Sequence, residues 1–200
     1  MAQDPGTLLP LLTLRAACRF PDTVHITVSI TEYTTPGGKE FRGVASGYLQ
    51  GLVPNQTQCR VFVRESAFRL PKSPDTPVVM VGPGTGVAPM RALLQEREEQ
   101  ALRAGKPLGS LGANTLYFGC QSQNRDFIYR DELEAFQKSK TLTGLHLAFS
   151  RDQSDKVYVQ HHLARDLDAA SLMDSLDKGA HVYVCGATNM GESSDSQQPR

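Results

Sequence analysis

The sequence has no net charge: 21 lysines and arginines balance 21 aspartates and glutamates. That argues against coating nucleic acid by bulk charge and leaves room only for a local basic patch. Nor is there an apolar run approaching the roughly 20 residues needed to cross a bilayer. The leucine-rich start, Leu8 to Leu14, is broken by Pro10 and preceded by Asp4 rather than by a basic cluster, a poor signal peptide. No CxxC pair occurs among Cys18, Cys59, Cys120 and Cys185, and two of these end apolar runs. Reduced thiols in a cytoplasmic protein suit that pattern better than a disulfide framework or a zinc site. No repeat is visible. What is present, 40% hydrophobic and 21% charged residues in a chain of 200, is a globular balance long enough for one domain, or one domain and a piece of another.

The chain divides near Pro71. Before it, Val24, Ile26, Val28 and Ile30 alternate with His25, Thr27, Ser29 and Thr31, the period of a half-buried strand over Val24 to Tyr33. Pro36-Gly37-Gly38 makes a turn, and Cys59 to Val63 offers another short strand. These strands are antiparallel in character and too few to close a barrel, leaving open edges. After Pro71 the rhythm changes. Apolar runs at Val78–Val81, Thr115–Phe118, Leu145–Phe149 and His181–Cys185 alternate with helical patterns over Val87–Leu102, Tyr129–Lys138 and Tyr158–Leu167. That alternation predicts an α/β fold, a parallel sheet with helices on both faces. Residues 191–200 contain only polar residues, glycine and proline, and read as a disordered tail.

In such a sheet, ligands gather outside the carboxyl ends of the strands. The first end is Gly82-Pro-Gly-Thr-Gly-Val-Ala-Pro89, where Gly84, Thr85 and Gly86 let the backbone and a hydroxyl approach a phosphate at a helix start. A plain tight turn is the competing reading. The second end, Gly119-Cys120-Gln121, offers no acid for an NAD ribose. The third carries Ser150 and Arg151, with Lys156, Tyr158 and Gln160 close behind. An arginine fork and an ammonium suit the dianionic 2′-phosphate of NADP, and Tyr158 offers a face to an adenine. A solvated basic turn neutralised by Asp152 and Asp155 is the alternative; together with the glycine loop, the NADP reading is the better one. The fourth end is Cys185-Gly186. Cysteine there usually packs the core, yet it lies where a nicotinamide would sit if phosphates occupied Gly84 and Ser150. Gly43-Val44-Ala45-Ser46-Gly47 is a second such loop, opening a possible helix through Tyr48 and Leu49, although a turn is favoured.

From about Val24 to Met190 these blocks resemble the FAD/NADPH half of the diflavin reductases, in the ferredoxin–NADP reductase superfamily. The resemblance is carried by Gly43-Val-Ala-Ser46, Phe68-Arg-Leu-Pro71, Val79 to Pro89, Tyr117-Phe-Gly-Cys120, Phe149-Ser-Arg-Asp-Gln153, Lys156-Val-Tyr-Val-Gln160 and Val182-Tyr-Val-Cys-Gly186. Sulfite reductase flavoprotein, nitric oxide synthase reductase and methionine synthase reductase share most of these blocks. The resemblance implies hydride transfer from NADPH to FAD, with electrons passing through an FMN domain to a haem protein such as a cytochrome P450. It implies Gly43, Val44, Ala45 and Ser46 along the FAD pyrophosphate, with Thr27 and Tyr33 near the isoalloxazine or adenine. It implies Gly84, Thr85 and Gly86 at the NADPH pyrophosphate, and Ser150, Arg151, Lys156, Tyr158 and Gln160 about the 2′-phosphate. Asn189 belongs to the same nucleotide-binding set, and Cys185 is the catalytic residue beside the nicotinamide. No metal is implied.

Residues 1–70 are therefore expected to be a partial antiparallel FAD-binding barrel, 71–190 a Rossmann-like NADP(H)-binding domain, and 191–200 a tail. Departures accompany the matches. The family's Arg-x-Tyr-Ser motif has no equivalent in Thr13 to Phe20, Gln121 replaces an arginine, and Ala187-Thr-Asn-Met190 replaces a stretch with an aspartate. From Gly191 the sequence leaves the family's pattern, and with it go the final helix and the aromatic that stacks on the flavin. The chain is expected to be truncated at both ends and cytoplasmic, with the full-length relative anchored on the cytoplasmic face of the endoplasmic reticulum. A catalytically inactive nucleotide-binding fragment is the alternative function.

Overall fold

A computed structural model describes residues 22–59, 66 and 68–186. In its first part, β1 (Glu32–Thr34) and β2 (Glu40–Arg42) pair antiparallel, Tyr33 opposite Phe41. The Pro36-Gly37-Gly38 turn joins them, with Gly38 at φ +80°, a left-handed conformation that needs no Cβ. Helix α1 (Val44–Gln50) follows.

Two expectations change here, and a third lies outside the described residues. The strand over Val24 to Tyr33 shrinks to β1 and an isolated bridge at Ile26. Its apolar face is not covered: Val24, Ile26 and Ile30 are exposed, so alternation alone has no second layer to act against. The Gly43 segment forms a helix where a turn was favoured, because Ser46 folds back on it: the Ser46 hydroxyl donates to the Gly43 carbonyl at 3.5 Å and accepts the Thr31 N–H at 3.2 Å. The strand over Cys59 to Val63 lies, from residue 60 onward, outside the described residues, as do Asn189 and the tail.

The second part is the expected parallel sheet. Strands β3 (Val78–Val81), β4 (Asn114–Cys120), β5 (Gly144–Phe149) and β6 (His181–Val184) lie in the order β5-β4-β3-β6, every neighbouring pair parallel. Side chains alternate across it. Val78, Met80, Leu116 and Phe118 pack with Val87, Met90, Leu93 and Leu94 of α2 (Val87–Arg103) and Leu133 and Phe136 of α3 (Arg130–Lys138). Val79, Val81, Tyr117 and Ala148 pack with Val159 and Leu163 of α4 (Val159–Asp168) and Leu172 and Leu176 of α5 (Ser171–Asp177), a short helix that periodicity did not single out. Burial on both faces explains why β3 reads as an unbroken apolar run. Each such side chain contributes about 1.5–3 kcal/mol when buried.

The sheet begins where the sequence rhythm changes. Arg97 of α2 is fully buried, and burial pulls its pKa down. Its guanidinium donates to Asn114 Oδ1 at 2.9 Å, to the Pro74 carbonyl at 3.2 Å and to the Thr76 carbonyl. Gln100 adds a bond to the Pro71 carbonyl at 3.0 Å. The loop entering β3 is thereby tied to α2 by a cation satisfied through neutral oxygens.

Candidate nucleotide site

The strand order places a switch point between β3 and β6, since the chain steps outward from β3 through β4 to β5 and then returns to the other side. Crevices at such points, beyond the carboxyl ends of the strands, are where open α/β sheets bind ligands. The glycine loop and Cys185 meet there. Gly86 lies against the Cys185–Gly186 peptide: a Cβ on it would overlap the Cys185 carbonyl oxygen and stand 2.7 Å from its carbon. Gly82 is equally constrained, its Cβ falling 2.7 Å from the Gly86 carbonyl oxygen and 2.9 Å from Met90 Cγ. Gly84 differs, with φ +57° and nothing within 4 Å of a Cβ. Two glycines thus close the floor, and the third presents bare backbone to solvent. Thr85 stands half-buried between Gly84 and Gly86 in a short 3₁₀ turn that leads into α2.

Cys185 continues the ladder through its N–H to the Val81 carbonyl at 2.9 Å. Its half-buried thiol has its pKa pushed up by burial, so it stays protonated at neutral pH. Cys120, at the end of β4, is pushed up to about 12 by burial and by the nearby Asp126 carboxylate.

The loops after β4 and β5 are joined. Ser150 N–H donates to the Cys120 carbonyl at 3.0 Å, and Arg151 N–H to the Gln121 carbonyl at 2.8 Å. The side chains of Arg151, Lys156 and Tyr158 are exposed, while Ser150 and Gln160 are half-buried. Neither Arg151 nor Lys156 forms an ion pair with a carboxylate among the described residues. Asp152, offered by the sequence as a neutraliser, instead accepts the Gln123 N–H at 2.8 Å. Asp126 accepts the Gln121 and Ser122 N–H groups at 2.9 and 2.7 Å; burial alone would raise its pKa, but those two bonds hold it below the ordinary carboxylate range. Asp126 and Asp152 thus accept backbone amides, while Asp155, the other neutraliser offered by the sequence, is exposed like Arg151 and Lys156. Sequence reasoning missed Asp126 and Asp152 as loop ties; an acid a few residues beyond a strand end was the available signal.

The first-part candidates are placed differently. Tyr33 is exposed and stacked on Phe41, ring centroids 4.8 Å apart. The Thr27 hydroxyl is bonded to the Tyr129 hydroxyl at 2.5 Å. The Ser46 hydroxyl is held internally, and the space a Gly43 Cβ would need is already taken by Ser46 Oγ at 2.5 Å and Thr31 Cβ at 3.0 Å. For a flavin pyrophosphate at this turn, the first-turn backbone of α1 is what remains to offer.

A four-stranded parallel sheet with helices on both faces, a topological switch point and a glycine turn between its first strand and helix have the layout of a nucleotide-binding α/β domain. The chain belongs to the oxidoreductase NAD-binding domain family, whose model matches residues 80–195. It is similar to NADPH–cytochrome P450 reductase of Drosophila melanogaster, with 48% identity over 175 residues, 85% of this chain and 25% of that protein. The human NADPH–cytochrome P450 reductase is 44% identical over 176 residues, again 85% of this chain and 25% of the relative. The chain therefore spans about a quarter of the length of the curated relatives it matches. Among the described residues, no helix is long and apolar enough to cross a membrane.

Proposed function

We propose that the chain is the NADP(H)-binding part of a flavoprotein reductase that takes hydride from NADPH to FAD, the longer protein passing electrons through FMN to a haem protein such as a cytochrome P450. The family match and the resemblance of the ordered sequence blocks support this. The observation that carries it is the pairing of the Gly82–Gly86 turn, which bares its backbone at Gly84, with exposed Arg151 and Lys156 beyond the end of β5 in the same sheet.

Bound NADPH supplies the hydride and bound FAD accepts it; the protein's part is binding and orientation. Gly84, Thr85 and Gly86 receive the pyrophosphate, where bare backbone and one hydroxyl permit close approach. Ser150, Arg151 and Lys156 hold the 2′-phosphate, with Tyr158 and Gln160 beside them and Asn189 in the same set. Cys185 stands at the nicotinamide as a neutral thiol, since burial opposes the thiolate. Gly43, Val44, Ala45 and Ser46 take the FAD pyrophosphate, and Tyr33 with Thr27 the flavin or adenine side. Residues 71–190 act as the nucleotide domain and 1–70 as the flavin part.

A second reading, a nucleotide-binding fragment without turnover, is favoured by the internal commitment of the Ser46 and Thr27 hydroxyls. Both readings share NADP(H) binding and differ at the flavin. Calorimetry with NADP⁺ and with FAD, followed by ferricyanide reduction with NADPH, separates them. The expected outcome for this chain is NADP⁺ binding, weaker FAD binding and little turnover. Tight FAD binding with brisk turnover would reinstate the active module, and no NADP⁺ binding would end both.

A further inference from the structure

A polar cluster of which the proposed function uses Thr27 alone lies between α2, α3 and the segment preceding β1. At its centre is Arg91, in the second turn of α2 and buried. Its Nε donates to Glu132 Oε2 of α3 at 2.7 Å. The guanidinium carbon lies 4.6 Å from the centre of the Tyr129 ring, a cation–π contact. One Nη reaches His25 Nδ1 at 3.3 Å. Guanidinium only donates, so His25 Nδ1 accepts. The Tyr129 hydroxyl in turn bonds Thr27 Oγ1.

Two further observations give the cluster weight. Tyr129 stands at φ +59°, a left-handed conformation that costs an aromatic residue about 1–2 kcal/mol and persists only where its surroundings over-determine it. Here those surroundings are the apolar core against which the ring packs, Arg91 over the ring and Thr27 on its hydroxyl. Moreover, no side chain of residues 22–34 is buried, and none of them is among the apolar residues packed on the sheet's core. Apolar burial therefore does little to fix segment 22–34 on the sheet, and directional polar contacts are left to do it. The hold extends along the chain, because Thr31 is bonded to Gly43 and Ser46: Gly43 N–H donates to the Thr31 carbonyl at 2.8 Å, and Thr31 N–H to Ser46 Oγ at 3.2 Å. On the other side, Arg91 lies five residues beyond Gly86, about 7.5 Å along a helix axis.

We propose that Arg91 is a positioning residue. Through Tyr129, Glu132 and His25 it fixes segment 22–34, and with it the Gly43–Ser46 turn, at a set place relative to the crevice from which α2 starts. Its purpose rests on the hydride-transfer reading, in which errors of about 1 Å between reacting groups cost about 100-fold in rate. The joint itself does not depend on that reading.

The test is hydrogen exchange on the whole chain, alongside NADP⁺ calorimetry. Arg91→Met keeps length and helix propensity but removes charge and donors. It should speed exchange in peptides covering 24–34 by about 10-fold or more, while Val78–Val81 and Leu116–Phe118 stay protected and NADP⁺ affinity stays within about 2-fold. Arg91→Lys, which keeps a cation over the ring, should restore part of the protection. Tyr129→Phe, which keeps the ring and loses the Thr27 bond, should give about 3-fold. Unchanged exchange at 24–34 in Arg91→Met with the sheet intact overturns the proposal. Should Arg91→Met unfold the sheet, Tyr129→Phe decides alone, and unchanged exchange there overturns it equally. Failure of the unmodified chain to bind NADP⁺ would overturn the nucleotide reading and leave the joint standing on its own readout.

Discussion

Replacing Gly86 by alanine tests the floor of the crevice. The backbone at Gly86 is helical, φ −62° and ψ −14°, so alanine is conformationally welcome there and any cost must come from space. Its Cβ would overlap the Cys185 carbonyl oxygen and sit 2.7 Å from the carbonyl carbon and 3.3 Å from Gly186 N. Carbon atoms prefer about 3.5–4.0 Å, so the end of β6 must retreat by about 1 Å. Cys185 is held on its other side, where its own N–H donates to the Val81 carbonyl, so its carbonyl cannot swing away as a side-chain tip does. Overpacking against such a neighbour costs about 1–3 kcal/mol, and backbone on both sides puts Gly86→Ala at or above the top of that range, about 3 kcal/mol. Two controls separate space from conformation. Gly84→Ala meets nothing but lies at φ +57°, which predicts about 1 kcal/mol of strain. Gly47→Ala, inside α1 with nothing within 4 Å, should stabilise by up to about 1 kcal/mol. Urea denaturation of the three variants, with NADP⁺ affinity measured on each, reads the order directly. A Gly86→Ala protein as stable as the Gly84→Ala one would refute the packing of Gly86 on Cys185.

Arg151→Ala should weaken 2′,5′-ADP binding by about 10- to 150-fold, the loss of one charge-assisted contact of about 1.5–3 kcal/mol, and change NAD⁺ binding little; equal losses for the two ligands would contradict a 2′-phosphate role. Asp166, buried on α4, accepts bonds from Tyr117 OH at 2.9 Å and Arg165 Nε at 3.0 Å, and His146 Nδ1 lies 3.1 Å from its carboxylate. Burial alone would raise its pKa, but these partners hold it below the ordinary value, while burial lowers that of His146 and keeps the imidazole neutral at pH 7. A depressed carboxylate contributes stability above its unfolded pKa and loses it as pH falls, so denaturation midpoints should drop below about pH 4 and Asp166→Asn should flatten that drop. Tyr117→Phe leaves a buried carboxylate one donor short and should cost about 1–3 kcal/mol at neutral pH, read from a thermal melt.

The nucleotide sheet was legible in the sequence because its strands are buried on both faces, so Val78–Val81 and Thr115–Phe118 appear as apolar runs ended by glycine. The positions of Gly82–Gly86 and Ser150-Arg151 were legible as well, because they follow directly on the apolar runs that form β3 and β5. The first part was not. Val24 to Tyr33 alternates like a strand, yet Val24, Ile26 and Ile30 of its apolar face remain exposed, and a period of two predicts only what a second layer would bury. Helix α1 depends on one serine bonding back to Thr31, a contact between residues 15 positions apart that no local pattern encodes. Tyr129, read simply as the start of a helix, takes its left-handed backbone from partners more than 35 residues away in sequence, Arg91 and Thr27. Long-range polar contacts of this kind carry no periodicity.

Selection of a 2′-phosphorylated dinucleotide by the residues beyond β5, as proposed, is tested most directly by parallel calorimetric titration of the unmodified chain with NADP⁺ and NAD⁺ at one ionic strength. Arg151 and Lys156 together should favour NADP⁺ by at least about 10-fold, the equivalent of one charge-assisted contact at about 1.4 kcal/mol per decade, and the preference should shrink as salt is added. Equal affinities for the two dinucleotides, or heat for neither, would contradict the account.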